Sequence, residues 1–150
     1  MDIIISKLTF SFSVHVTEDK EKNMTALSNL TNGINQNQAI IAESILEGGY
    51  GNPIKFIEMT LTKTTTINKI IKYISSRLSD EDKEYLGSEF ENRFDSRRNT
   101  FFLRFDKNAI YENNLIITDS ANIIKLAIRL RAFTKQANHK YFLIENGIIT

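Results

Sequence analysis

The sequence predicts a two-layer α+β domain in which a mixed, mostly antiparallel sheet carries its helices on one face. Several segments alternate apolar and polar residues with a period of two, which is typical of strands covered on one side. Other segments repeat apolar residues at helical spacing, which indicates amphipathic helices. The predicted order is β-α-β-β-α-(α)-β-β-β, and the helices can then cover one sheet face. No linker composition interrupts the 150 residues, so we expect one domain over residues 1–150.

The first strand and the first helix are predicted within residues 7–34. Residues 7–16 (KLTFSFSVHV) alternate strictly and predict a strand with one covered face. Thr17 is a candidate helix N-cap, and the acids that follow it suit a first helical turn, where the helix dipole favours negative charge. The Asn32–Gly33 pair offers a C-terminal stop.

The glycine-rich stretch EGGYGNPI, Glu47 to Ile54, is predicted to join two neighbouring strands. Residues 39–46 before it and residues 54–62 after it both have strand patterns. Glycines supply positive φ angles in such a connection, and Pro53 fixes the entry to the next strand. The stretch lacks the Lys-Ser/Thr pair of a phosphate-binding loop and leads into a strand, which argues against a phosphate cradle.

The second half of the chain predicts the remaining helices and strands. A helix capped by Thr64–Thr66 is predicted because apolar residues recur at i, i+3, i+4, i+7 and i+11 from Ile67, and Ser79 begins a further short helix. The other predicted elements are a helical turn at 88–95, a strand at 100–106, a helical turn at 107–112, a short strand at 114–118, a strand at 122–133 and an edge strand at 139–149.

Composition narrows the class of protein. The absence of cysteine excludes disulfides, cysteine-based zinc sites and thiol catalysis. The net charge of +1 is not the strongly basic balance of a typical nucleic-acid binder, but the segment from Ser120 to Lys140 is basic and contains no acid. No apolar stretch approaches the roughly 20 residues that cross a bilayer, and no signal peptide is visible, so we expect a cytoplasmic protein.

One face of the predicted sheet has no helix to cover it, and the polar sets of the strands share that face. Arginine pairs with phosphate through a planar fork of donors, and an exposed aromatic ring can stack on an unpaired base. This mixture suits single-stranded or irregular RNA, although arginine and aromatic residues also build dimer interfaces. The predicted members of this face are Ser11, Ser13, His15, Phe56, Thr60, Phe102, Arg104, Lys125, Arg129, Arg131 and Phe133.

The residues predict no catalytic group, no metal site and no cofactor. The two histidines, His15 and His139, are far apart in sequence, so a zinc site would need carboxylates to complete it. Asp95, Asp106 and Asp119 could gather near turns and hold Mg²⁺, which is the basis of a metal-dependent phosphoesterase as an alternative. Pairing of the first two with neighbouring basic residues is the simpler interpretation.

Three stretches, VTED at 16–19, EGGYGNPI at 47–54 and RFDSRRNTFFLRFDKNAIYENNLIIT at 93–118, resemble a family of small archaeal RNA-binding proteins. That family is described as predicted exosome-associated, with the fold of the ribosomal protein that binds 5S rRNA. The resemblance covers about residues 8–133 and implies RNA binding without catalysis. The family usually has histidine at Gly49. The positions that carry its motifs are Glu47, Gly48, Gly51, Asn52, Pro53, Arg93, Asp95, Arg104, Asp106 and Lys107.

The residues and the resemblance together predict a non-catalytic RNA-binding protein, with exosome or ribosomal components among its implied partners. A homodimeric protein–protein adaptor, whose uncovered face is buried by a second chain, remains the main alternative. The predicted basic contacts to RNA are Arg93, Arg104, Lys107, Lys125, Arg129 and Arg131. The predicted stacking residues are Phe102, Phe133 and Tyr50.

Overall fold

A computed structural model describes residues 2–15, 17–34, 38–47 and 51–150 of the chain. Its sheet has six strands in the order β2-β3-β1-β6-β5-β4, and neighbouring strands pair antiparallel throughout. The strands are β1 (Ile3–Val14), β2 (Ile40–Glu47), β3 (Pro53–Leu61), β4 (Phe94–Asp95), β5 (Thr100–Asp106) and β6 (Ile123–Ala132). The helices are α1 (Lys20–Leu30), α2 (Thr64–Arg77), α3 (Asp80–Ser88), α4 (Phe90–Arg93), α5 (Lys107–Tyr111) and α6 (His139–Glu145). The predicted α+β class is confirmed.

The core lies on one side of the sheet, because the strands alternate in burial. In β1, Leu8 and Phe10 are fully buried, whereas Thr9 and Ser11, which alternate with them, are half-buried on the opposite side. The buried side chains of β1, β3, β5 and β6 meet the apolar stripe of α2, in which Ile67 and its helical repeats point inward. Each such isoleucine or leucine stabilises the fold by about 2 kcal/mol relative to an exposed position. The core therefore fixes which side chains are left on the other side.

Most predicted boundaries agree with the structure to within two residues. The predicted helix caps agree less well. Asp19, rather than Thr17, caps α1, since its carboxylate accepts the N–H of Glu21 at 2.9 Å. Ser79 caps α3 as expected and accepts the N–H of Asp82. The Thr64–Thr66 run lies in the first turn of α2 and does not cap it.

Residues 114–118 do not form the predicted strand. A single bridge joins Ile117 to Phe105, and the Ile117 N–H donates to the carboxylate of Asp82 at 3.1 Å. The side chains of Leu115 and Ile117 are buried. The apolar run therefore marks a loop that packs on the core, and its alternation mimics a strand.

The edge strand predicted at 139–149 is also wrong, because helix α6 occupies 139–145. Asn138 caps this helix by accepting the N–H of Tyr141 at 2.9 Å. Leu143 and the residues after the helix, Ile148 and Ile149, are buried in the core. The tail contributes its apolar side chains from a helix and an irregular end rather than from a ladder.

The helical turn predicted at 88–95 divides into two elements. Helix α4 ends at Arg93, and Phe94 and Asp95 form the short strand β4 beside β5. The rings of Phe90 and Phe94 stack with their centroids 5.0 Å apart, which packs the turn against the strand that follows.

Strand β2 forms one edge of the sheet, and its eight residues are all exposed. The sequence shows apolar residues on both faces of this strand, but the helices cover neither. Ile40 and Ile45 are each 72% exposed.

None of the described helices is long and apolar enough to cross a membrane.

Candidate nucleic-acid interface

The side of the sheet opposite the core is called here the open face. Its side chains are half-buried or exposed, in contrast to the fully buried residues that alternate with them. The open face is formed by Ser11, Ser13, Phe56, Thr60, Phe102, Arg104, Lys125, Arg129 and Arg131. The alternation read from the sequence assigns these residues to one face correctly. His15 follows β1 and is exposed beside Glu18.

The centre of the open face carries a cation beside an aromatic ring. The sheet register sets Lys125 of β6 between Ser11 of β1 and Arg104 of β5. The ammonium group of Lys125 lies 4.4 Å from the centroid of the Phe102 ring. Glu58 pairs with Ser11 on its other side, so one acid lies in the same cross-strand row. A ring with an adjacent cation can stack on a base while the cation meets a phosphate.

One end of the open face is more strongly basic. Arg129 and Arg131 are exposed, and their side chains lie on the same face of β6 because the residues are two positions apart. Lys7 of β1 is the register partner of Arg129. The guanidinium of Arg131 lies 5.2 Å from the ring centroid of Phe133, which is 54% exposed just beyond the strand.

Two further arginines join this end from the turn between β4 and β5. Arg97 and Arg98 are exposed, and with Arg129 and Arg131 they line a concavity of about 420 Å³. These four residues are called here the arginine cluster. The sequence prediction does not include Arg97 and Arg98 in this face, because it pairs Arg97 with Asp95 and does not consider Arg98. The available signal was the adjacent pair of arginines in a short turn before a strand of the open face.

Arg93, a predicted RNA contact, is held by other residues of the protein. Its side chain is 10% exposed, and one guanidinium nitrogen donates to Asp119 at 2.7 Å. The Tyr85 hydroxyl donates to the same carboxylate at 2.6 Å. The pKa of Asp119 lies below its ordinary value, first because of the Tyr85 hydrogen bond and then because of Arg93. The same hydrogen bond from the phenol raises the pKa of Tyr85.

Lys107, another predicted contact, lies almost buried below the end of β1. Its ammonium donates to the backbone oxygen of Ser13 at 2.8 Å and to the Glu18 carboxylate at 3.1 Å. Burial acts to raise the pKa of Glu18, but the His15 N–H and the Lys107 ammonium outweigh it and lower that pKa. Lys107, the first residue of α5, therefore joins this helix to the end of β1.

The three carboxylates of the phosphoesterase alternative have separate local roles. Asp95 accepts the N–H groups of Arg97 and Arg98, and Asp106 caps α5 by accepting the N–H of Ala109 at 2.9 Å. Asp119 holds Arg93 and Tyr85. Within residues 2–15, 17–34, 38–47 and 51–150, no three acidic or histidine side chains form a group that could hold a metal ion. The proposed convergence of these carboxylates is therefore wrong.

The described part of the motif loop, Glu47 and residues 51–53, lies where β2 ends and β3 begins. Glu47 is the register partner of Pro53, so the predicted strand connection is confirmed. Gly51 has a φ of 75°, in the left-handed region that favours glycine, and Asn52 beside it is exposed. The remaining predicted positions of this loop, Gly48, Gly49 and Tyr50, lie outside the described residues.

An exposed face of arginine, lysine and phenylalanine is a feature of nucleic-acid-binding proteins. The model of a family described as "RNA binding" matches residues 7–130, and this chain belongs to that family. The resemblance drawn from the sequence motifs is thereby confirmed at the level of a small archaeal RNA-binding family.

Three proteins from archaea are similar to this chain. The RNA-binding protein PAB1135 of Pyrococcus abyssi is 31% identical over 121 residues, which are 80% of this chain and 78% of that protein. The crystal structure of protein AF2318 from Archaeoglobus fulgidus, a DUF54 protein, superimposes with a TM-score of 0.78 at 30% identity and covers 95% of this chain and 99% of that chain. Mth689 of Methanothermobacter thermautotrophicus, at 24% identity and a TM-score of 0.75, covers 95% of this chain and 97% of its own and shares the fold.

Proposed function

We propose that this protein binds single-stranded or irregular RNA through the open face and carries out no catalysis. Membership of the RNA-binding family supports the class of ligand. The observation that supports the open face as the binding surface is the exposure of Arg129 and Arg131 and their lack of carboxylate partners within the described part of the chain. Both are exposed, and neither forms an ion pair with a carboxylate of the described residues. Guanidinium groups in that state are available to phosphate.

The proposed roles divide the open face into two parts. Arg129 and Arg131, with Arg104, contact phosphates and supply the sequence-independent part of the affinity. Phe102 stacks on an unpaired base, with Lys125 beside it, and Phe133 offers a second ring near Arg131. Arg93 and Lys107 are assigned a structural role, because each donates to a carboxylate of the protein. Tyr50, which lies outside the described residues, stays a predicted stacking residue.

Charge reversal tests the surface. We expect Arg129→Glu combined with Arg131→Glu to abolish retention of a single-stranded RNA in a filter-binding assay. This corresponds to an affinity loss of at least about 100-fold, where each tenfold loss equals about 1.4 kcal/mol of binding free energy. Lys69→Glu with Lys72→Glu on the exposed side of α2 makes the same change in net charge and is the matched control. Unchanged binding of the arginine variant at low salt would show that the open face is not the site.

Narrower proposals concern where the bound RNA belongs. The family resemblance supports association with the exosome or with ribosome-related particles in the cytoplasm. Co-sedimentation of the native protein with exosome or ribosomal fractions, before and after ribonuclease treatment, tests this association. We expect release by ribonuclease, because the proposed contact is with RNA rather than with protein.

The homodimeric adaptor remains a second candidate, and one observation favours it. The edge strand β2 exposes Ile40, Ile45 and Leu46, together with an unpaired backbone edge that could add a strand from a second copy. This places the proposed contact at the sheet edge rather than on the open face. If the Ile45→Lys variant keeps a molar mass of two chains, the edge contact is contradicted. If the molar mass of the wild-type protein does not change when RNA is added, the adaptor is favoured over RNA binding.

A further inference from the structure

The arginine cluster is built from two separate parts of the chain that backbone contacts hold together. The turn between β4 and β5 is closed by Asp95, whose carboxylate accepts the N–H of Arg97 at 3.0 Å and that of Arg98 at 3.3 Å. Asn99 follows with a φ of 50°, a left-handed conformation that asparagine tolerates. Its carbonyl accepts the N–H of Leu130 at 2.8 Å. The turn is therefore fastened to β6 between Arg129 and Arg131.

The charge of the cluster is poorly balanced within the protein. Among the described residues, the one ion pair of the cluster joins Arg98 to Asp95 at 3.9 Å, and the Arg98 side chain is 78% exposed. An exposed pair at that distance contributes little to stability. The other three arginines line the same concavity, and Lys7 is the register partner of Arg129 in the sheet. Like charges in one place destabilise the fold unless an anion enters among them.

The chemistry of the donors indicates which anion fits. Each guanidinium presents a rigid fork that matches two oxygens of a phosphoryl group. Four forks in one concavity exceed what one phosphodiester, with two free oxygens, can accept. Ser6 and Asn99 at the rim add polar groups without negative charge. The cluster is continuous with the open face through Arg129, so a strand lying on that face can reach it.

We infer that the arginine cluster is a phosphate site that takes two or more neighbouring phosphoryl groups of an RNA strand, and that Arg97 and Arg98 are binding residues. This inference rests on the proposed function for the identity of the strand. The same chemistry would also accept a free oligophosphate, so the test uses both ligands. The site fixes the path of the backbone at one end of the open face, while Phe102 and Lys125 meet the strand at the centre.

The first arm measures thermal unfolding with and without inorganic pyrophosphate, at matched ionic strength set by sodium chloride. We expect pyrophosphate to raise the melting temperature of the wild type and of the control variant Lys69→Gln/Lys72→Gln. We expect no rise in Arg97→Gln/Arg98→Gln, whose unliganded form should melt at or above the wild-type temperature because repulsion is relieved.

The second arm measures the affinity for a short single-stranded RNA as a function of salt. We expect Arg97→Gln/Arg98→Gln to reduce the slope of log affinity against log salt by about 1.4, since each lost phosphate contact changes it by about 0.7. The lysine control should keep the wild-type slope.

The outcomes separate this inference from the proposed function. If the wild type binds RNA while the Arg97/Arg98 variant matches the lysine control in both arms, the inference is wrong and the open-face proposal stands. If the wild type binds pyrophosphate but no RNA, the proposed function fails, and the assignment to an RNA strand fails with it.

Discussion

Two sets of cationic side chains in this protein have opposite surroundings. Arg93 and Lys107 are 10% and 8% exposed, and each donates to a carboxylate at 2.7 and 3.1 Å. Arg129 and Arg131 are exposed on the open face, without an ion pair to a carboxylate in the described part of the chain. The four residues are alike in the sequence, since each lies in a segment that contains both basic and apolar residues.

Burial and hydrogen-bond partners decide what a cation can bind. A guanidinium or ammonium already directed to protein oxygens would have to break those bonds to reach a phosphate. An exposed cation without a partner loses only its hydration and its counterions, and counterion release favours binding. We therefore assign stability to the first set and RNA affinity to the second, and the predictions below test this division.

The largest effect is expected for Lys107→Met. This change leaves the Ser13 carbonyl and the Glu18 carboxylate without their buried donor, so the free energy of unfolding should fall by about 2 kcal/mol. Urea denaturation measures the change. Lys125→Met on the open face is the matched control, and its stability should stay within about 0.5 kcal/mol of the wild type. Equal losses in the two variants would remove the distinction between the sets.

The next effect is expected for Arg129→Gln, which should lower RNA affinity about tenfold, or 1.4 kcal/mol, without lowering stability. The reason is that its guanidinium stabilises no other residue through an ion pair among those described. Filter binding and urea denaturation on the same preparation check both parts. Arg93→Gln should behave in the opposite way, with altered stability and unaltered affinity per folded molecule.

A smaller effect concerns the ionisation of Tyr85. The hydrogen bond to Asp119 holds the pKa of this phenol above its ordinary value of 10.0, whereas Arg93 acts to lower it. We expect Asp119→Asn to lower the Tyr85 pKa and Arg93→Gln to raise it further. NMR titration with tyrosine labelled at the ring Cζ resolves the residue. Shifts of the same sign in both variants would mean that these three side chains do not act together.

The smallest effect is a change in the acid dependence of stability through Glu18. Its pKa is lowered in the folded state, so its stabilising contribution is present above its ordinary pKa of 4.5 and is lost as pH falls through the folded value. The stability difference between the wild type and Glu18→Gln should therefore shrink below about pH 4.5. Urea midpoints measured from pH 7 to pH 3 test this, and a difference that grows towards low pH contradicts the sign.

The sequence predicted the sheet well because its strands are covered on one side only. Alternation in β1, β5 and β6 identified both the buried residues and the members of the open face, including Phe102 and Arg129. The predicted strands at 114–118 and 139–149 failed for a shared reason. Loops and helices that pack on a core also bury apolar residues, and short apolar runs do not distinguish these cases from strands.

The candidate site was predicted less completely, because partners distant in sequence decide it. Nothing near Arg93 in the chain indicates that Asp119 and Tyr85 will meet it, and Lys107 finds Glu18 only after the sheet has formed. The proximity of Arg97 to Asp95 in the sequence indicated a local charge pair, but in the structure the Asp95 carboxylate accepts the backbone N–H groups of Arg97 and Arg98. Long-range contacts thus give Arg93 and Lys107 partners within the protein and bring Arg97 and Arg98 next to Arg129 and Arg131.

The salt dependence of RNA affinity tests the central division most directly. We would measure it for the wild type, for Arg129→Gln/Arg131→Gln and for Lys107→Met, each confirmed to be folded. We predict that the slope of log affinity against log salt falls by about 1.4 in the arginine variant and is unchanged in Lys107→Met. An unchanged slope in the arginine variant, or a reduced slope in Lys107→Met, would contradict it.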